Sequence, residues 1–566
     1  MIYRLNNFLI FTIIYILFGS TSLTASIYSI KNDILSREKI SAYLNGSILL
    51  NDKKYREANI FFSKAQGLSG VHNNYNSQYV FSLVVNGKIN DANKIISGLD
   101  NAENSNALFK FTEGVYLLNS RNFFLAKKKF QSIKSNNILF RELNNYIQLW
   151  LEMSLSSKKK IPDNFQTSFE NIKLIQSLLL YEHIQNSEFY LKTSEEILKK
   201  KQLGRYHFFH IIYLIKKNNI DQAKEIVKKQ LLNNPNNLLM KQSYIALDTN
   251  DLNFFTRNYE SSNINHGISE LLYLFANLFQ QREQIELSKF FASLSNYLNQ
   301  NFAANKLLNF QNALNQQANS ILDNQSLNDI ASLGEEYFWY MNFKKLSLME
   351  EKAESKNKII INDLKKSLSK NKYFNFSKLM DMGNYYRSIK KYSIAIDYYN
   401  QAEQKADLRD LDWRFYYFRG ICNERLKNWS EAESDLLQSL KHSSKEYRVM
   451  NYIAYSWLER GVHYNKAIKM LNEAVQLSNW EHGYIIDSLG WGYYLLNDFK
   501  KAETLLELAY TKTPSEAEVY DHYADALWKN NKKIQARYVW NKAFQLESID
   551  KKRAKKINEK LLNGIN

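Results

Sequence analysis

The sequence predicts an all-α fold, a superhelical solenoid of antiparallel helix pairs that is degenerate in its middle. Three observations carry this expectation. The 566 residues include only 3 Pro and 17 Gly against 38 Tyr and 33 Phe, which disfavours a loop-rich fold and favours helices with a large apolar payload. The stretch from Gly483 to Pro514 divides into two short amphipathic segments. Ile486, Leu489, Gly490 and Tyr493 fall on one face of the first, and Ala502, Leu505, Leu506 and Ala509 on one face of the second, with Asn497-Asp498 as the turn and Pro514 as the stop. The arrangement then recurs after 34 residues, where Ala524, Leu527, Ala536 and Ala543 follow Gly490, Tyr493, Ala502 and Ala509. Gly490 and Ala502 stand twelve residues apart, and the expectation is that these two small residues face each other where their helices cross.

Residues 1–25 have the form of an export signal. Arg4 precedes the apolar run Phe8 to Phe18, and Ser20 to Ala25 is small and polar, with cleavage expected after Ala25. The run is shorter than the roughly 20 residues of a membrane span, so no transmembrane span is expected after cleavage; an uncleaved inner-membrane anchor is the alternative. No cysteine follows the run, which excludes a lipoprotein anchor, and the single cysteine, Cys422, cannot form an intramolecular disulfide. That usage is compatible with an oxidising compartment, and the bacterial periplasm is the expected address.

Helix pairs are expected throughout residues 26–135. Gly46 and Ala58 stand at the twelve-residue spacing, Ala92 follows Ala58 by 34 residues and Ala126 follows Ala92 by 34, with Gly114 twelve before Ala126. Asn51-Asp52-Lys53, Asn86-Gly87-Lys88 and Asn119 to Asn122 are the expected turns. Across 136–370 the pattern blurs. Arg205 to Pro235 is a clear unit, but Ala223 lies 97 residues after Ala126 rather than 102, so the spacing has slipped. Degenerate repeats of the same solenoid are the preferred reading here, and a separate helical domain the alternative. The register returns over 371–548, with Gly383 and Ala395, Gly420 and Ala432, Ala454 and Ala467, Gly490 and Ala502, and Ala524 and Ala536 marking five successive pairs. Residues 549–566, with the helix Lys551 to Leu562, are the expected polar-faced terminal cap.

A 34-residue period with a small residue, an aromatic, alanines and a closing proline resembles the tetratricopeptide repeat, or TPR. The C-terminal array further resembles exported TPR proteins of the alphaproteobacterial type. The residues that carry this are Tyr416 to Gly420 with Asn423 to Leu426, Asn451-Tyr452 with Tyr455-Ser456, Gly483 to Trp491, and Asp521-His522 with Asp525 to Trp528 and Ala536-Arg537. The likeness covers about 375–546, and it implies an envelope adaptor with no chemistry of its own.

The sequence offers little that would carry catalysis. There is no H-E-x-x-H, no glycine-rich phosphate loop and no G-x-S-x-G. His207 and His210 stand at i,i+3 without a third ligand nearby, and they are read as surface or groove histidines rather than a metal site. Glu335-Glu336 and Glu350-Glu351 are adjacent and diverge on a helix, so they are read as solvated faces. A lysozyme-like domain would need glycine-rich loops that are missing outside the repeats. No enzyme, cofactor or metal is expected. The formal charge of +18 is discounted as a sign of nucleic-acid binding, because no dense basic block is interleaved with aromatics and the richest run, Lys551 to Lys556, belongs to the terminal helix.

In a TPR stack the first helix of each repeat lines the inner surface. Three rows are expected there: Tyr417, Asn451, Asp487 and Asp521; Ile421, Tyr455, Trp491 and Asp525; and Glu424, Leu458, Tyr494 and Trp528. They predict an aromatic and acidic channel inside a basic protein, suited to an extended or helical segment with apolar and basic side chains. The expected function is a non-catalytic periplasmic scaffold that binds protein or peptide segments, in envelope assembly or polysaccharide export. The alternative is a cell-wall protein that recognises glycan through the same aromatics, or a subunit of a peptidoglycan-acting enzyme.

Overall fold

The computed structural model describes residues 36–68, 72–99, 106–314, 329–348, 354–370, 372–407, 410–547 and 549–565. The expected export signal and Glu350-Glu351 lie outside the described residues. Every regular element among the described residues is helical, and the helices pair in sequence order as an all-α solenoid.

The tight turn inside each pair is built the same way. In the first three pairs Lys53, Gly87 and Arg121 adopt left-handed backbone conformations at φ 62°, 75° and 59°, and these positions are 34 residues apart. The residue after each donates its N–H five residues back, Lys54 to the Leu49 carbonyl, Lys88 to Leu83 and Asn122 to Leu117. This is the Schellman closure, which satisfies carbonyls left open at a helix end and reverses the chain in two or three residues. Lys427, Gly461, Asn497 and Asn531 take the same conformation in the C-terminal array. So do Gln185, Asn218, Asn250 and Glu283 in the middle, where the period is 32 to 33 residues. The middle thus keeps the rhythm of the repeats after its small-residue pattern has blurred.

The small residues pack differently from expectation. Ala58, Ala92, Ala126, Ala395, Ala432, Ala454, Ala467, Ala502, Ala524 and Ala536 are fully buried, but the nearest neighbour of a Cβ on each repeat glycine is not the alanine twelve residues on. Each glycine accommodates a large side chain sixteen residues on. A Cβ on Gly46 would lie 2.8 Å from the Phe62 ring, on Gly114 2.5 Å from Phe130, and on Gly383 2.6 Å from Tyr399. On Gly420 it would lie 3.1 Å from Leu436 Cγ, and on Gly490 2.7 Å from Leu506 Cγ. The glycine is a hole for a bulky knob one turn beyond the alanine, because a void left by two facing small residues would forfeit dispersion contacts. Pro514 stands between the helices Phe499–Lys512 and Ala517–Lys529, and its carbonyl accepts the Tyr520 hydroxyl at 2.8 Å.

The chain forms two compact units, one reaching Met341 and one beginning at Asn342. The first unit has one continuous apolar core from Ala42 to Leu308. Its repeats also close on themselves. Helix Ile285–Leu298 packs against the first helices of two N-terminal pairs, Asn73–Val85 and Ala107–Asn119, and helix Ile264–Gln281 packs against Ile138–Leu155 and Glu170–His183. Phe291 meets Phe111 edge-on at 5.4 Å and Phe140 at 5.6 Å, and Gly267 leaves room for the Trp150 ring. Polar bonds close the seam, from Ser293 Oγ to the Val85 carbonyl and from Asn265 Nδ2 to the Leu118 carbonyl. Helices that line the inner side of an open solenoid are here covered by a later pair of the same unit.

Two minor expectations are corrected in this unit. His207 and His210 are core residues, not surface ones; His207 Nε2 lies 3.1 Å from the Ile197 carbonyl and His210 Nδ1 3.3 Å from the Tyr190 hydroxyl. Glu336 is buried beside Lys241 at 3.8 Å, while its neighbour Glu335 is exposed. No group of three His, Cys, Asp or Glu that could hold a metal occurs among the described residues.

Candidate functional site

The second unit carries an open cleft of about 570 Å³ on the inner side of its array. Three consecutive first helices build it. Trp413–Arg425 supplies Glu424 and Arg425, Tyr447–Glu459 supplies Asn451, Tyr452, Tyr455, Ser456 and Glu459, and Gly483–Leu495 supplies Tyr484, Asp487 and Ser488. Arg460, just past the second helix, Thr513 and Glu516 in the link to the last pair, and Glu518 and Val519 in the first turn of helix Ala517–Lys529 complete the wall. Carboxylates thus outnumber cations on its lining.

Local bonds hold these side chains in place. Tyr452 donates its hydroxyl to Glu424 Oε2 at 3.0 Å, and Tyr417 stands edge-on to the Tyr452 ring at 5.9 Å. Burial pushes the Tyr417 phenol up to about 12. Tyr455 donates to Glu518 Oε1 at 3.4 Å, and burial, then the Glu518 charge, keeps its phenol protonated well above the usual range. Tyr484 stands 42% exposed, an accessible ring beside the carboxylates. Asn451 Oδ1 is buried and has no hydrogen-bond partner.

Four of the ten expected groove residues line the cleft: Glu424, Asn451, Tyr455 and Asp487. The other six are used elsewhere. Trp491 is stacked on His522 at 4.1 Å and on Tyr494 at 4.7 Å, and its Nε1 donates to Glu459 at 2.8 Å. With two rings already stacked on it, the indole locks successive repeats together and is not a free anchor. Asp487, only 5% exposed, spends its carboxylate on His522 Nδ1 at 3.0 Å. Burial opposes charge on His522, but the Asp487 carboxylate outweighs it and holds the imidazole pKa above its ordinary value.

Asp521 and Asp525 are covered by the terminal helix Lys551–Asn563, which is more than a polar cap. Lys560 Nζ lies 2.7 Å from Asp521 Oδ1 and 2.7 Å from Asp525 Oδ2. Arg553 reaches Glu518 at 2.7 Å and Asp521 at 3.5 Å. Burial, then repulsion from Asp521, pushes the Asp525 carboxyl up to about 6 although Lys560 pulls it down. Trp528 donates Nε1 to the Ile565 carbonyl at 2.7 Å beneath the same segment. Tyr417 stays at the rim against Tyr452, and Tyr494 backs Trp491. Counting from the small residues therefore did not separate residues that face the cleft from residues that join neighbouring helices. Tyr452, Glu459 and Tyr484, missed by that count, lie two before, five after and six before their repeat's small residue. Tyr452 also packs against the core of the second unit, so nothing in its spacing marks it as a cleft residue.

No family model matches the chain, and no curated protein matches it. Solved structures of helical-repeat proteins do. TTC0263, a TPR protein of Thermus thermophilus, is 16% identical and covers 33% of this chain and 99% of its own, with a TM-score of 0.29. Yeast Tom70 is 12% identical and covers 93% and 95%, at 0.31. PilF of Pseudomonas aeruginosa is 16% identical and covers 34% and 93%, at 0.29. Likenesses this loose carry no argument about function; the fold rests on the helix pairs, their period and their turns.

Proposed function

We propose that the chain is a non-catalytic scaffold that holds a segment of a protein partner in the cleft of its C-terminal array. We place it in the periplasm after loss of residues 1–25, serving envelope assembly or polysaccharide export. The observation that carries the binding reading is the cleft itself, a lining of tyrosines and carboxylates drawn from three successive repeats. A surface continuous over several repeats suits an elongated ligand. Export predicts a mature chain that begins at Ser26 and is recovered in the soluble periplasmic fraction; full-length chain found only in membranes would favour the anchor.

A second reading, recognition of glycan as part of a peptidoglycan-acting assembly, draws on the exposed Tyr484 ring beside carboxylates, since sugars also take aromatic faces and acidic acceptors. Capture from an envelope extract separates the two. The full chain and a Tyr484→Ala/Glu516→Lys variant are immobilised side by side, with and without muramidase digestion of the extract. Protein capture that survives digestion and is lost in the variant is expected. Capture abolished by muramidase supports the glycan reading, and capture unchanged in the variant places the working surface elsewhere.

A further inference from the structure

We propose that the segment held in the cleft is a basic amphipathic helix presenting two cations two turns apart, with an apolar residue between them. The inference rests on the reading of the cleft as a protein-binding site and says what chemistry fills it.

The cleft is poor in cations, with two arginines against five carboxylates. Of its two arginines, Arg425 is engaged with Glu424 at 3.6 Å, and Arg460 lies over the Trp429 ring at 4.2 Å. Among the described residues no ion pair joins Glu459 or Glu516 to a cation, although both line the cavity. Glu459 accepts one neutral N–H, from Trp491. The buried Asn451 Oδ1 adds an acceptor without a donor. An acceptor left without a partner in a desolvated place, as Asn451 Oδ1 is, costs free energy that an incoming N–H recovers. The exposed Glu459 and Glu516 add charge-assisted bonds to a cationic donor. Acidic segments and polyanions are repelled by the same lining.

The chain itself shows the form that such a donor takes. Its terminal helix sets Arg553 and Lys560, seven residues apart, on Glu518, Asp521 and Asp525, with Ile557 fully buried between them. Seven residues is about two turns, roughly 10 Å of rise, so both cations fall on one face of the helix. Glu518 belongs to both surfaces: it takes Arg553 from the terminal helix and also forms part of the cleft wall, where Tyr455 bonds to it. The acidic surface thus runs without interruption from the seat of the terminal helix into the cleft. A helix of similar pattern laid in the cleft meets the carboxylates that the terminal helix leaves unfilled.

The test selects displayed random peptides of about 16 residues on the full chain and measures the recovered peptides against a Glu459→Gln/Glu516→Gln variant. Glutamine keeps shape and removes charge, and circular dichroism and the melting temperature establish that the variant is folded. The expected peptides carry Arg or Lys seven residues apart around an apolar residue, and their affinity falls about tenfold or more in the variant. Peptides that depend on the cleft but are acidic or uncharged would overturn the basic-helix assignment and leave the scaffold reading standing. Basic peptides that bind wild type and variant equally would overturn the assignment as well, because their charges are then read elsewhere. No recovered peptide at all would overturn both readings.

Discussion

Replacing Lys560 by methionine keeps the length of the side chain and removes the charge that two buried carboxylates share. Lys560 Nζ sits 2.7 Å from Asp521 and 2.7 Å from Asp525, which are only 4% and 5% exposed. Removing one partner of a buried ion pair costs about 3–5 kcal/mol. Two features of this site lower that figure. Arg553 stays within 3.5 Å of Asp521 and Trp540 Nε1 still donates to Asp525 at 3.0 Å. Asp525, already pushed up to about 6, can take up a proton, at a cost of about 1.4 kcal/mol per unit of pH above its pKa. The expected loss is about 2–3 kcal/mol at pH 7, shrinking toward pH 5 as Asp525 becomes neutral in both proteins. Adding Asp525→Asn to Lys560→Met should restore more than half of it, since the amide oxygen still accepts from Trp540. Urea unfolding followed by tryptophan fluorescence measures the loss, and hydrogen exchange over 517–546 localises it. A change below about 0.5 kcal/mol, or one that does not vary with pH, would refute the claim that the terminal helix is held on the array by its cations.

Three further outcomes are expected. Gly490→Leu drives a side chain into Leu506, whose Cγ lies 2.7 Å from the position of a Cβ, and should cost about 1–3 kcal/mol; exchange should rise within the second unit and leave the first three repeats unchanged. Phe291→Ala removes a fully buried ring that touches Phe111, Phe140 and Phe279 and should cost about 3–5 kcal/mol, with exchange rising over 73–150 as well as 264–298, because the first unit is closed rather than linear. The two units should also respond oppositely to acid between about pH 7.5 and 5.5. In the first, burial holds His183, His207, His210 and His266 below the ordinary value, His210 at about 4. Their contribution is present above the unfolded pKa and is lost as pH falls. In the second, the raised pKa values of His522 and Asp525 mean that the folded form binds more protons, so stability falls as pH rises and is regained on acidification. Exchange rates read unit by unit check this, and parallel movement of the two units would contradict it.

The repeat was legible because its turns and small residues recur in the sequence at a fixed interval. Asn51 to Lys53, Asn86 to Lys88 and Asn119 to Asn122 are where the chain reverses, at Lys53, Gly87 and Arg121. What the small residues face was not legible, since a glycine announces a close approach but not its partner. The partner is a large side chain sixteen residues on, as Gly114 and Phe130 show. In the middle the left-handed positions fall on Gln185, Asn218, Asn250 and Glu283; the turn at Asn218-Asn219 was legible, whereas Gln185 and Glu283 carry no turn signal of their own. The closure of the first unit was hidden for another reason. Phe111 and Phe291 meet across 180 residues of chain, and local periodicity holds no information about so distant a partner. The groove rows brought four of the ten expected residues to the cleft, but counting along a helix did not separate residues that join neighbouring first helices, such as Trp491 with His522, from residues that face the cavity, such as Tyr484.

The central claim, that the inner cleft of the C-terminal array holds a partner segment, is tested most directly by placing a photoreactive amino acid at Tyr484 in the cleft and, separately, at Tyr538, which is exposed at 60% on a second helix. The account predicts discrete, protease-sensitive adducts from position 484 in intact cells, insensitive to muramidase, and none of the same size from position 538. Equal adducts from both positions, or none from 484 in cells where the chain is abundant and folded, would contradict it.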